Sequence, residues 1–186
     1  MKRLSFLFVL ILPLFFVACE EDGAELSNVL SYDGEPFSAP LLPPGTHTFA
    51  VRFGAEELRD YIGKSIKEVT FFAGGQPEAT RVILYGEGTA SEPGTTELGS
   101  RTVNNLAIQD WTDVSFASSQ IEITEEDIWV AVEVVHAESQ QSVGCDQGPN
   151  QTDGDWLFRA DDPGWKSFSA TTPESVNWNI RVVVSD

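Results

Sequence analysis

The chain has 186 residues, of which 29 are acidic and 11 basic, for a formal net charge of −18. That balance excludes nucleic-acid binding, which needs lysine and arginine to neutralise phosphates, and it equally excludes docking by charge onto anionic lipid. With 41% hydrophobic residues, 10 prolines and 15 glycines, the composition suits one globular domain preceded by a leader.

The leader begins with the basic stretch Met1-Lys2-Arg3. The apolar run Leu4–Val17 follows, interrupted by Pro13 and too short to span a bilayer comfortably. It ends in Val17-Ala18-Cys19, then Glu20-Glu21-Asp22. A small residue before the cysteine is what a signal peptidase needs in its narrow cleavage pocket. The segment resembles a bacterial lipobox, although Phe16 and Val17 stand where leucine and a small residue are usual. The resemblance implies a signal peptide over 1–18, an acylated Cys19 that holds the protein to the membrane, and a polar acidic tether over 19–28. The alternative is an ordinary secretory signal whose cysteine is incidental. The acidic run after Cys19 also resembles the surface-export signal of some Gram-negative lipoproteins, which implies a lipid-anchored, surface-exposed outer-membrane address. Loss of 1–18 would remove Lys2 and Arg3 and no acids, leaving nine basic residues against 29 acidic ones, a net of −20. Cys145 would then have no intrachain partner, so the domain over 29–186 must be stable without a disulfide.

Val29–Tyr32 predicts a first strand, ending in the turn Asp33-Gly34-Glu35-Pro36. Three prolines and a glycine make 39–45 an irregular connection. His47–Phe53 alternates cleanly, with His47, Phe49, Val51 and Phe53 on one side, which predicts a half-buried strand. Ala55–Tyr61 is the one convincing helical piece, with Gly63 placed to stop it. Ser65–Ala73 and Thr80–Gly86 predict strands joined by a hairpin-like turn, Gly74-Gly75-Gln76-Pro77. A weaker, more exposed strand is expected over 95–103 and another strand over 111–116, after which Ile121–Thr124 leads into Glu125-Glu126-Asp127. In Asp127–Val135, Ile128, Val130, Val132 and Val134 share one face, while Trp129, Ala131, Glu133 and Val135 share the other. A strand apolar on nearly both faces belongs in the middle of a sheet against a packed layer. A long polar loop over 137–154 precedes short strands at 156–159 and 165–168. Asn177–Val184 closes the chain, alternating Trp178, Ile180, Val182 and Val184 against Asn177, Asn179, Arg181 and Val183. About nine or ten strands, one short helix and no repeat predict an all-β fold, an antiparallel two-sheet β-sandwich of jelly-roll type. A barrel or an immunoglobulin-like sandwich is the alternative.

Several of these stretches, taken together, resemble a known kind of module. They are Tyr32-Asp33-Gly34, Phe49–Phe53, Gly63-Lys64 leading into Ile66–Val69, Asp127–Val130, Gly144-Cys145-Asp146, Gly154-Asp155-Trp156 and Asn177–Arg181. The set resembles the cleaved-adhesin-type accessory domains of gingipain-like proteins and related sandwich modules of bacterial surface lipoproteins. Such a resemblance implies adhesion, with a glycan or a surface protein as partner, and often a structural calcium ion. The chain carries no protease domain, which is a departure from the accessory architecture.

Read from the residues, the acidic loop is the first candidate site. Asp146, Asp153, Asp155, Asp161 and Asp162 lie close in sequence among glycines, and calcium takes six to eight such oxygens. The competing expectation is a solvated, turn-rich loop. Cys145 is expected to be chemically idle, because no helix N-terminus follows it and Asp146 would raise its pKa. His47 and His136 lack a third nitrogen or sulfur ligand for zinc. A glycosidase-like carboxylate pair has no specificity among 29 acids. Of the five tryptophans, Trp165 and Trp129 are the expected ligand-binding residues, since an exposed indole stacks on sugar rings. Trp111, Trp156 and Trp178 are assigned to the core. The leading expectation is a non-catalytic surface lipoprotein that binds a glycan or protein partner. An envelope hydrolase using paired carboxylates, or a structural subunit of a surface assembly, are the alternatives.

Overall fold

The computed structural model describes residues 27–185; the expected signal segment and Cys19 lie outside them. Ten strands form in chain order: β1 (Val29–Leu30), β2 (Gly45–Phe53), β3 (Ile66–Ala73), β4 (Ala79–Gly86), β5 (Thr96–Thr102), β6 (Asp110–Ser115), β7 (Ile128–His136), β8 (Trp156–Arg159), β9 (Asp162–Ser167) and β10 (Ile180–Val184). All pairings are antiparallel, in a four-stranded sheet of order β1-β10-β3-β6 and a six-stranded sheet of order β5-β4-β7-β2-β8-β9. The chain alternates between the sheets from β1 to β4 and again from β5 to β7, and β10 returns between β1 and β3. This is the jelly-roll pattern, with the β8–β9 hairpin added at the β2 edge of the larger sheet.

The expected core strand is β7, and it sits in the middle of the larger sheet between β4 and β2. Its register aligns Phe49, Val132 and Val82 in one row facing the other sheet, each with no exposed surface. Ile180, Val182 and Val184 of β10 come from the facing sheet, and Trp178 meets Phe49 edge to face with ring centroids 5.1 Å apart. Each fully buried aliphatic side chain in this layer is worth roughly 1.5–3 kcal/mol. Tyr32 closes one corner, stacked on Phe53 at 5.1 Å while its hydroxyl donates to the Arg52 carbonyl at 2.7 Å.

The helical piece is a single α-turn, α1 (Ala55–Leu58), continued as a 3-10 turn over Arg59–Tyr61. Leu58 and Tyr61 are buried by it, and Gly63, at φ +85°, takes the left-handed conformation that ends it. A second turn, α2 (Phe168–Thr171), follows β9.

One expectation is corrected. Gly74–Pro77 is not a hairpin, because β3 lies in the smaller sheet and β4 in the larger. The turn carries the chain across the sandwich, and the Gly74 N–H is taken by the Ser142 carbonyl at 2.7 Å. Turn residues mark where a chain reverses; both strands are apolar toward one layer, so their alternation is the same whichever sheet each joins. The segment 121–124 forms no ladder strand. It makes one isolated bridge, Glu122 to Ser65, while Ile121 and Ile123 are buried in the core.

Candidate functional site

The outer face of the larger sheet, turned away from the core, carries a second apolar cluster. Its floor is Ala50, Ile83 and Ala131, small or aliphatic residues on three adjacent strands. All three are buried only because larger rings lie over them. Trp129 of β7 is at the centre. Trp156 and Trp165, on β8 and β9, flank it with ring centroids 5.3 and 5.7 Å away, and Phe158 lies 5.9 Å from Trp165. Tyr85 stands opposite Trp129 in the ladder. Pairing of Ala50 with Trp156 and of Phe158 with Trp165 places all these rings on one side of the sheet.

Burial separates their roles. Trp129 has no exposed surface, so as it stands it is the centre of the layer rather than a contact residue. The loop after β4 closes over it: a Cβ on Gly88 would lie 2.6 Å from the indole nitrogen, so only glycine fits there. Trp165 and Trp156 are half-buried, each leaving part of its ring in solvent. Trp156 therefore leaves the core to which it was assigned. In Trp156-Leu157-Phe158 the middle residue points inward and the aromatic pair points out. Trp111 also leaves the core, for the outer face of the smaller sheet, where the Arg181 guanidinium lies 4.0 Å from its ring centroid. Trp178 is buried in the core as expected.

Polar groups border the aromatic layer. Arg52, opposite Trp129 in the ladder, donates to Asp127 at 2.8 Å and to Asp153 at 2.5 Å. Asp153 also accepts the Trp156 indole N–H at 3.0 Å, which fixes that ring. On the other flank, Arg81, Glu97 and Ser100 form a hydrogen-bonded triangle. Hydrogen bonds from Ser100 and Arg81 hold the Glu97 carboxyl below its ordinary range.

The five aspartates expected around one calcium are not brought together. Asp146 is buried and accepts from Gly34 N, Gly148 N, Asn177 N and Asn177 Nδ2, at 2.7–3.0 Å. Asp155 accepts from the Ser167 hydroxyl and from Ser169 N. Asp161 pairs with Arg159, and Asp162 with Lys166. Among the described residues no group of three histidine, cysteine or acidic side chains is placed to hold a metal ion. Each carboxylate has its own donors, distant in sequence for Asp146 and Asp153 and local for Asp161 and Asp162. Cys145 is buried, bridged to Ser38 and to Trp178, and its burial and the neighbouring Asp146 push the thiol up to about 11.

No family model matches the chain, and no curated protein matches its sequence. Two solved structures share its fold. One is a clostridial cysteine protease, Cwp84, after propeptide cleavage: 11% identical, TM-score 0.56, covering 85% of this chain and 40% of that one. The other holds the cysteine protease and lectin-like domains of Cwp84, a surface layer associated protein of Clostridium difficile: 12% identical, TM-score 0.52, covering 76% and 32%. At that identity the likeness is one of fold, and this chain spans less than half the length of either. The resemblance to gingipain-type modules rests on the short sequence stretches alone.

Proposed function

We propose that this chain is a non-catalytic cell-surface module that binds a carbohydrate on the outer face of its larger sheet. The observation that carries the reading is the pair of half-buried indoles, Trp165 and Trp156, held at fixed angles against the buried Trp129. A sugar's C–H face stacks on such a ring, and the bordering Arg52, Asp153, Glu97 and Ser100 offer donors and acceptors to its hydroxyls. A site built from rigid rings loses little side-chain entropy on binding. The surface address, with anchoring through Cys19, comes from the lipobox-like leader. A neighbour described as having lectin-like domains on a surface layer associated protein is in keeping with it. Against catalysis stand a thiol pushed up to about 11 and the engagement of Asp127, Asp153 and Glu97, beside the aromatic layer, by arginines.

A glycan array followed by calorimetry on the best ligand tests this. Trp165→Ala is expected to keep the fold and to weaken binding by at least about tenfold, as for a truncated anchor. Phe158→Leu, a milder change beneath the same ring, should weaken it less. A protein that binds no glycan, or a Trp165→Ala variant that is folded and binds as well as the original, would overturn the reading. Turnover of the bound glycan would favour the hydrolase.

A further inference from the structure

Phe37 is 67% exposed and Leu41 69%, the two most exposed large hydrophobic side chains among the described residues. Both lie on the proline-rich strap between β1 and β2. Three adjoining grooves meet at Phe37, of about 650, 240 and 290 Å³. The largest is lined by the apolar Phe37, Pro40, Phe168 and Val176 together with the acids Asp146 and Glu174. Glu35 lines the third groove. None of the nine lysines and arginines among the described residues lines any of the three. Glu35 and Glu174 are exposed and take part in none of the ion pairs among the described residues. None of the platform's aromatic residues reaches these grooves, so the surface is independent of the proposed carbohydrate site.

From this arrangement we infer that the Phe37 grooves are a docking site for a polypeptide segment carrying an apolar residue beside lysine or arginine. Phe37 with Pro40, Phe168 and Val176 makes an apolar patch at a concave surface, and such patches mark interaction sites on soluble proteins. The charge of the walls selects the partner: two unpaired carboxylates and no cation favour a basic segment and disfavour an acidic one. The strap also sets the mode of recognition. Phe37 N and Ser38 N already donate to the Cys145 carbonyl, and Pro36 and Pro40 have no N–H. The backbone is thus poorly equipped to take an added strand, and side chains do the reading: the apolar residue packs on Phe37 in the groove and the cation meets Glu174 or Glu35.

Fluorescently labelled synthetic peptides alternating lysine with leucine or tryptophan test this against the same peptides with glutamate in place of lysine. The basic series is expected to bind and the acidic series not. Phe37→Ser, at an exposed position, should fold normally and weaken the basic peptide by at least about tenfold. Glu174→Gln should weaken it less and flatten its dependence on salt. Trp165→Ala should leave it unchanged, which separates this site from the carbohydrate platform. Equal binding to the wild type and Phe37→Ser would show attraction to the overall negative charge and overturn the inference. So would no binding of the basic series, or displacement of the peptide by a neutral glycan whose binding survives Trp165→Ala.

Discussion

At the scale of single residues the sharpest case is the histidine pair. His47 on β2 and His136 on β7 both point into the sandwich, with ring centroids 5.0 Å apart. His47 Nε2 lies 2.8 Å from the Pro43 carbonyl, which can only accept, so the proton is on Nε2; Nδ1 then accepts from Ala160 N. His136 is 2% exposed with neither ring nitrogen hydrogen-bonded. Burial, and then the neighbouring His47, lower its pKa below the ordinary value of 6.5. The unfolded chain therefore binds more protons than the folded one just below that value. Stability from this group is complete above about 6.5 and is lost as pH falls through the folded-state pKa. The melting temperature is expected to drop between about pH 7.5 and 5, before ordinary carboxylates titrate. His136→Leu should flatten that drop, and thermal scans across the range check it; parallel slopes for the two proteins would exclude His136 as the cause. The sequence showed two histidines too sparse for zinc. That they face each other was not legible, since it depends on the β2–β7 register.

At the scale of elements, the loop from Gly144 to Gly154 is held by hydrogen bonds to the buried Asp146. Burial opposes the charge on Asp146, but hydrogen bonds from Asn177, Gly34 and Gly148 outweigh it and keep the carboxyl below its usual range. Through them Asp146 ties the Asp33–Pro36 turn, its own loop and the approach to β10 together. Asp146→Ala would leave Gly34 N, Gly148 N and both Asn177 donors without their acceptor. A loss of about 3–5 kcal/mol is expected in urea denaturation, in the range of a broken buried network. Asp161→Ala, at an exposed pair, should leave the midpoint unchanged. Equal effects of the two would mean that Asp146 is not a clamp. The alternation of β7 and β10 was plain from the sequence because a two-residue period survives in any sandwich. The partner of β3 was not, because a turn reads the same within one sheet or between two.

At the scale of the whole molecule, the net charge of −18 is distributed with a physical asymmetry. Arg52, Arg81 and Arg181 on the sheet faces each pair with an acid, while the grooves at Phe37 are lined by no lysine or arginine. Attraction of so acidic a protein to a negatively charged membrane surface is unfavourable, so attachment to a membrane would depend on the Cys19 acyl chains. Metabolic labelling with a fatty acid is expected to mark the protein and not its Cys19→Ala variant. Equal labelling, or none, would leave an ordinary secretory signal in its place.

What the sequence determined by itself is the part that local chemistry dictates. The two-residue apolar period, the glycine at the end of the helical turn and the doubly apolar strand at 128–136 each follow from what a short segment must bury. They were sufficient for an all-β sandwich with β7 at its centre. The tertiary structure alone decided which apolar face met the core and which met solvent. Trp129 and Trp156 are as hydrophobic as Trp178, and period two says only that neighbours in sequence point opposite ways. Pairing of β2 with both β7 and β8 is what turned Trp129, Trp156 and Phe158 outward onto one surface, and the same pairing buried Trp129 there. Likewise five aspartates close in sequence ended on separate donors, Asp146 on Asn177 and Gly34, Asp153 on Arg52, Asp155 on Ser167, and Asp161 and Asp162 on the nearby Arg159 and Lys166.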